Sequence, residues 1–283
     1  MVTIRNSEIT VTIAEFGAEI QSIVRGGVEY MWSRDPQFWA QSAPIMFPMC
    51  GGLKQGKYEL DGKVYEMPKH GFAKKSLFEV EAQSETKATF VLRDNEETRK
   101  MYPFAFAFRV IYEVEGASLK VTYDAENIDN KTMYATFGSH EAYACPEGIE
   151  AYELEFAENE TLYAYALNGD IVSDYTKLIV NNSNRLVLDD SLFALDAVVL
   201  RDVKSNSVTL KSRISDRRVK VEFDGFDYLF IWHKYKAPFL CIEPWCGLPD
   251  VVGADYDFTK KVGMHAIAPG CHFARTHTIT VGH

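Results

Sequence analysis

The chain has 283 residues, 47% hydrophobic and 25% charged, the composition of an ordinary globular protein. Asp and Glu outnumber Lys and Arg by 40 to 30, and the resulting charge of −10 repels polyanions; with no basic patch, nucleic acid is not expected as a partner. No window approaches the ~18 apolar residues of a membrane span, and Met1-Val2-Thr3-Ile4-Arg5 lacks the apolar run of a signal peptide, so no membrane partner and a cytoplasmic location are expected.

Along the chain, period-two alternation dominates. Gly26-Gly27 is the first turn signal. Gly51-Gly52-Leu53-Lys54-Gln55-Gly56-Lys57-Tyr58 falls one residue short of a phosphate-binding loop, with Tyr58 where a hydroxyl would hold magnesium. The residues that follow alternate into a hairpin instead of opening a helix, so the motif is rejected. That hairpin runs through Tyr58 and Leu60 to Asp61-Gly62 and on to Val64. Phe104, Phe106, Phe108, Val110 and Tyr112 share one face of a strand, as do Leu119, Val121 and Tyr123. Turn signals recur at Glu147-Gly148, Asn168-Gly169-Asp170 and Asp224-Gly225. Asp189 to Ala197 is the one helical turn expected, capped by Asp189 or Asp190. Val219, Val221 and Phe223 alternate with Lys220 and Glu222, and Thr278-Ile279-Thr280-Val281 reads as a closing strand. Strands without long amphipathic helices predict an all-β fold, a single large antiparallel β-sandwich spanning 1–283 as one domain.

The cysteines, Cys50, Cys145, Cys241, Cys246 and Cys271, are odd in number and widely spaced, which indicates free thiols and neither a disulfide framework nor a zinc site. His140-Glu141-Ala142-Tyr143-Ala144 begins like a zinc-protease helix but lacks the second histidine. No nucleophile elbow and no His-x-His pair occurs, so the expected chemistry uses no metal, nucleotide or covalent nucleophile, and no cofactor is expected.

Three residues stand in settings that suit proton transfer. Glu243 lies in the apolar run Leu240-Cys241-Ile242-Glu243-Pro244-Trp245-Cys246-Gly247, where a carboxylate either pairs with a cation to hold a turn or has its pKa raised toward neutrality. His70, before Gly71, and His140, at the end of an apolar segment, are either hydrogen-bonded loop histidines or proton carriers near working pH. Trp232, Trp245, Phe72 and Tyr143 stand beside them, either as core or as faces on which a sugar ring stacks.

Phe47-Pro48-Met49-Cys50-Gly51, His70-Gly71-Phe72-Ala73, Tyr102-Pro103-Phe104, Gly138-Ser139-His140, Leu195-Asp196-Ala197 and Cys241-Ile242-Glu243-Pro244-Trp245 occur in this order. Together they resemble the aldose 1-epimerase (galactose mutarotase) family, specifically its LacX-like bacterial branch, over nearly the whole chain. The resemblance implies a large antiparallel sandwich and a small-molecule sugar as partner. It implies an isomerase that interconverts α and β anomers, with Glu243 as base at the C1 hydroxyl, His140 as acid at the ring oxygen and His70 beside it. Asp196 falls where the family places a carboxylate that holds sugar hydroxyls.

Two departures bear on function. Gly52 stands where the family has an arginine that contacts the sugar, with Lys54 two residues on as the nearest cation. Glu141 stands where a proline normally follows the acid histidine; on a strand its side chain points away from that of His140. The missing arginine disfavours a phosphorylated sugar. An unphosphorylated aldose is therefore the expected substrate, with Asp196, Lys54, Trp232 and Phe72 as substrate-binding residues. The alternatives are a carbohydrate-binding or sensing protein without turnover, favoured by Gly52, and a hexose 6-phosphate epimerase drawing on Lys54, Lys69 and Lys74.

Overall fold

A computed structural model describes residues 1–194 and 196–282. Its largest sheet has thirteen antiparallel strands. From one edge the order is Glu141–Ala144, Phe239–Trp245, Tyr228–Trp232, Val198–Leu200, Tyr152–Asn168 and Ser207–Ser212. It continues through Arg218–Glu222, His272–Gly282, Ser118–Asn127, Phe106–Glu115, Lys87–Arg93 and Glu79–Gln83. Ile171–Val187 pairs with Tyr152–Asn168 off this path, forming a long hairpin arm.

The alternating sequence sets which face of each strand is buried. Phe106, Phe108, Val110, Tyr112 and Val114 are buried, while Arg109, Ile111 and Glu113 between them are only partly covered. Leu119, Val121, Tyr123, Val219 and Val221 follow the same rule. The sheet curls on itself into the expected sandwich. Glu141, on the first strand of the order, contacts His277 on the eighth. Phe137 stacks on Phe273 in the same interior. A separate sheet of Val2–Arg5, Ile9–Ile13, Ile20–Arg25 and Val28–Glu29 is tied on by Tyr112, whose hydroxyl donates to the Ala18 carbonyl at 2.6 Å, and by Arg25, which donates to Val281 O.

The turns carry the chemistry expected of them. Asp61 and Gly62 both have positive φ, 50° and 72°, which gives Lys57–Leu60 and Lys63–Glu66 a tight hairpin. The phosphate-loop look-alike becomes a 3-10 turn, Lys54–Gly56, feeding directly into a strand. Asp189 caps the 3-10 helix Asp190–Phe193 by accepting from Ser191 N at 2.7 Å. The helix Glu96–Met101 was not expected; Asn95 caps it and Thr98 closes the box back onto Asn95 N.

Candidate functional site

Glu243 sits on Phe239–Trp245, a strand buried along its whole length between two others. Alternation puts Leu240 and Ile242 into the main core, while Cys241, Glu243 and Trp245 share the opposite face. Trp245 stacks on Phe230 with ring centroids 3.6 Å apart and so floors a cavity of about 250 Å³. That is below the ~300–1,000 Å³ of pockets for drug-sized ligands and suits a smaller one.

His140 reaches the same cavity from the segment before Glu141–Ala144. Gly138 makes that approach feasible, since a Cβ there would lie 2.7 Å from the Trp245 ring. Trp245 Nε1 then donates to Ser139 O and Ser139 N to Pro244 O, fixing the segment. His140 Nδ1 comes within 3.3 Å of Glu243 Oε1, without hydrogen-bond alignment.

His70 enters from a loop in which it and Gly71 both have positive φ, 67° and 69°. Its Nδ1 accepts from Gly51 N at 3.1 Å, and its own backbone N donates to Gly51 O. An accepting Nδ1 means that the ring is neutral and carries its proton on Nε2. The His70 ring stands edge-on to those of His140 and Trp245, at 5.9 and 5.5 Å.

Burial governs the electrostatics. Desolvation raises the Glu243 pKa well above the usual carboxylate range, and the charges of Glu141 and Asp196 add to it. It pushes His140 down to about 3, helped by the Lys74 ammonium, and lowers His70 well below its ordinary value, helped by His140. The cavity therefore favours the uncharged forms of all three.

Asp196 and Trp232 lie at the rim, where Trp232 Nε1 donates to Asp196 Oδ1 at 2.8 Å. Leu195, in the same motif, lies outside the described residues. Two expected residues are not brought to the cavity. Lys54 is turned away by the 3-10 turn, in which Gln55 has φ 56°; its Nζ donates to Ala254 O and lies over the Tyr256 ring. Phe72 packs in the core against Phe47, Tyr102 and Phe106, because the two positive-φ residues before it break strand alternation. The cavity instead gains Trp39, 5.0 Å from the His140 ring, with Gln41, Lys69 and Lys74. Only the lysines carried a prior signal, as cations near the His70 motif.

The aldose 1-epimerase family model matches residues 1–255. The chain belongs to this family. It is 35% identical over 300 residues to the plasmid-borne LacX protein of Lactococcus lactis subsp. lactis, covering 99% of both chains. It is also similar to a galactose mutarotase related enzyme from Lactobacillus acidophilus, with a TM-score of 0.95, 34% identity, and 100% and 97% of the two chains covered. A galactose mutarotase-like protein from Lactobacillus casei ATCC 334 gives a TM-score of 0.94 at 33% identity, with both chains fully covered.

Both departures from the epimerase pattern have a structural account. A Cβ on Gly52 would meet Asp170 Cβ at 2.5 Å, so the tip of the hairpin arm fills the place of a side chain. Asp170 pairs there with Lys69 at 2.8 Å. Glu141 points away from the cavity and bonds His277 Nε2 at 3.0 Å, with both side chains buried.

Proposed function

We propose that this protein is an isomerase that interconverts the α and β anomers of a free aldose by acid–base ring opening. The pair shares one proton, which rests on Glu243; once it has passed to His140 across their 3.3 Å approach, Glu243 takes the proton of the C1 hydroxyl and His140 delivers its own to the ring oxygen. The resulting aldehyde rotates about C1–C2 and closes on its other face, with the two groups exchanging roles. His70, with its proton held on Nε2, donates a hydrogen bond to the same region. The reaction moves two protons and no electrons, so a carboxyl and an imidazole suffice. The observation that carries the reading is the 3.3 Å approach of Glu243 and His140 in a buried cavity with His70 oriented beside them. Asp196 and the Trp232 and Trp39 rings hold the sugar by its hydroxyls and apolar face.

A second reading, an aldose carrying phosphate, is favoured by Lys69 and Lys74 in the cavity wall. Lys74 has no acceptor among the described residues, and burial lowers its pKa to about 8. NMR of freshly dissolved α-glucose, α-galactose and their 6-phosphates tests both readings. Equilibration faster than buffer is expected, and Glu243→Gln is expected to remove about 10²–10⁴-fold of it while the fold is kept. A rate equal to buffer on every sugar overturns the enzyme reading and leaves a sugar-binding protein.

A further inference from the structure

We propose that His140, Cys241 and Glu243 form a site for a soft divalent metal ion, of the zinc class, whose occupation shuts down the acid–base pair. His140 Nδ1, the Cys241 sulfur and a Glu243 oxygen lie within 4.8 Å of one another. Strand geometry produces this grouping. Cys241 and Glu243 are two residues apart and so share one face of Phe239–Trp245. On the neighbouring strand Ala142 lies opposite Cys241 and Glu141 opposite Ile242, which carries His140 to the level of Glu243.

The donors are available. His140 Nδ1 is buried and has no hydrogen-bond partner among the described residues. The Cys241 side chain is fully buried behind it, and Glu243 is 1% exposed. Cys241 takes no part in the proposed proton transfers, so its thiol has no role there that binding a metal would interrupt.

The donor set selects the metal. One nitrogen, one sulfur and one oxygen suit zinc and its borderline-soft neighbours, whereas magnesium and calcium take oxygen alone. Three protein ligands would leave one tetrahedral position open, and two of the three, His140 and Glu243, line the cavity. Charge also balances: a neutral imidazole, a thiolate and a carboxylate carry −2, so a bound M²⁺ makes the buried site electroneutral and avoids the cost of an unpaired interior charge. The thiol and carboxyl protons leave to solvent as the metal binds, so affinity rises with pH. With the His140 and Glu243 lone pairs coordinated, neither accepts a proton from a sugar, and metal and aldose compete.

Cobalt(II) and zinc are the probes. Adding Co²⁺ to the whole protein is expected to give thiolate-to-cobalt charge-transfer absorption that saturates at one ion per chain and is displaced by Zn²⁺. Zinc is expected to inhibit anomerisation and magnesium to leave it unchanged. Cys241→Ser should turn over normally in metal-free buffer, lack the cobalt–thiolate band and need at least ~10-fold more zinc for inhibition. Cys271→Ser, at the exposed thiol, should behave as the parent. Absence of the band from the parent, or a band lost in Cys271→Ser and kept in Cys241→Ser, overturns the proposal. Zinc inhibition unchanged in Cys241→Ser does the same. The inhibition rests on the anomerase reading, whereas the cobalt band does not: a band without turnover keeps the site and discards that reading.

Discussion

Glu243 and His140 are buried together, and burial pushes both toward their neutral forms, the carboxyl upward and the imidazole to about 3. The pair thus holds one transferable proton, and its titration belongs to both groups together. Adding a second proton requires charging His140, so the acid limb of kcat/KM against pH should lie well below the ordinary histidine value of ~6.5. Losing the shared proton requires ionising Glu243, so the alkaline limb should lie above the usual carboxylate range. The profile with the buffer rate subtracted checks this, and an acid limb near pH 6.5 contradicts it. These residues were legible because each interrupts an apolar or turn context that gives a charge no other purpose. Trp39 and Gln41 were not, since the cavity wall is assembled from segments far apart in the chain. Lys54 misled for a local reason: its nearness to Gly52 in sequence is undone by the left-handed Gln55.

At the scale of elements, the hairpin arm replaces a side chain. Restoring the family arginine by Gly52→Arg should therefore destabilise the fold and not improve turnover, because the new Cβ meets Asp170 before the guanidinium reaches the cavity. Overpacking of this kind typically costs about 1–3 kcal/mol. Thermal unfolding with anomerisation in parallel measures it, and a variant of unchanged stability and higher affinity would show that the arm yields. Hairpins such as Asp61-Gly62 and strands such as Phe106–Glu115 were readable because turn chemistry and period-two burial are local properties. The helix Glu96–Met101 escaped because six residues are too few to display a helical period. Its only mark was the Asn95–Thr98 cap.

Across the whole molecule, Glu141 and His277 join strands seven places apart in the sheet, pinning the two layers together from inside. Glu141→Ala leaves the buried His277 Nε2 without its hydrogen-bond partner and should lower stability by about 1–3 kcal/mol. Denaturant unfolding reads this directly, and with His277→Ala the two losses should fall short of adding. The sandwich class was legible from alternation alone. The strand order was not, because pairings such as Lys120 with Thr278 depend on contacts that no local pattern encodes. The arm, finally, has a bearing on ancestry. Glu243 and His140 stand on and just before the first two strands of the sheet order, whereas one wall of the cavity belongs to an excursion of the chain, Leu167 to Asp170, that can lengthen, shorten or be exchanged without touching them. Under the proposed function, preference among sugars diverges between related chains by grafts of that excursion alone, with the chemistry inherited intact.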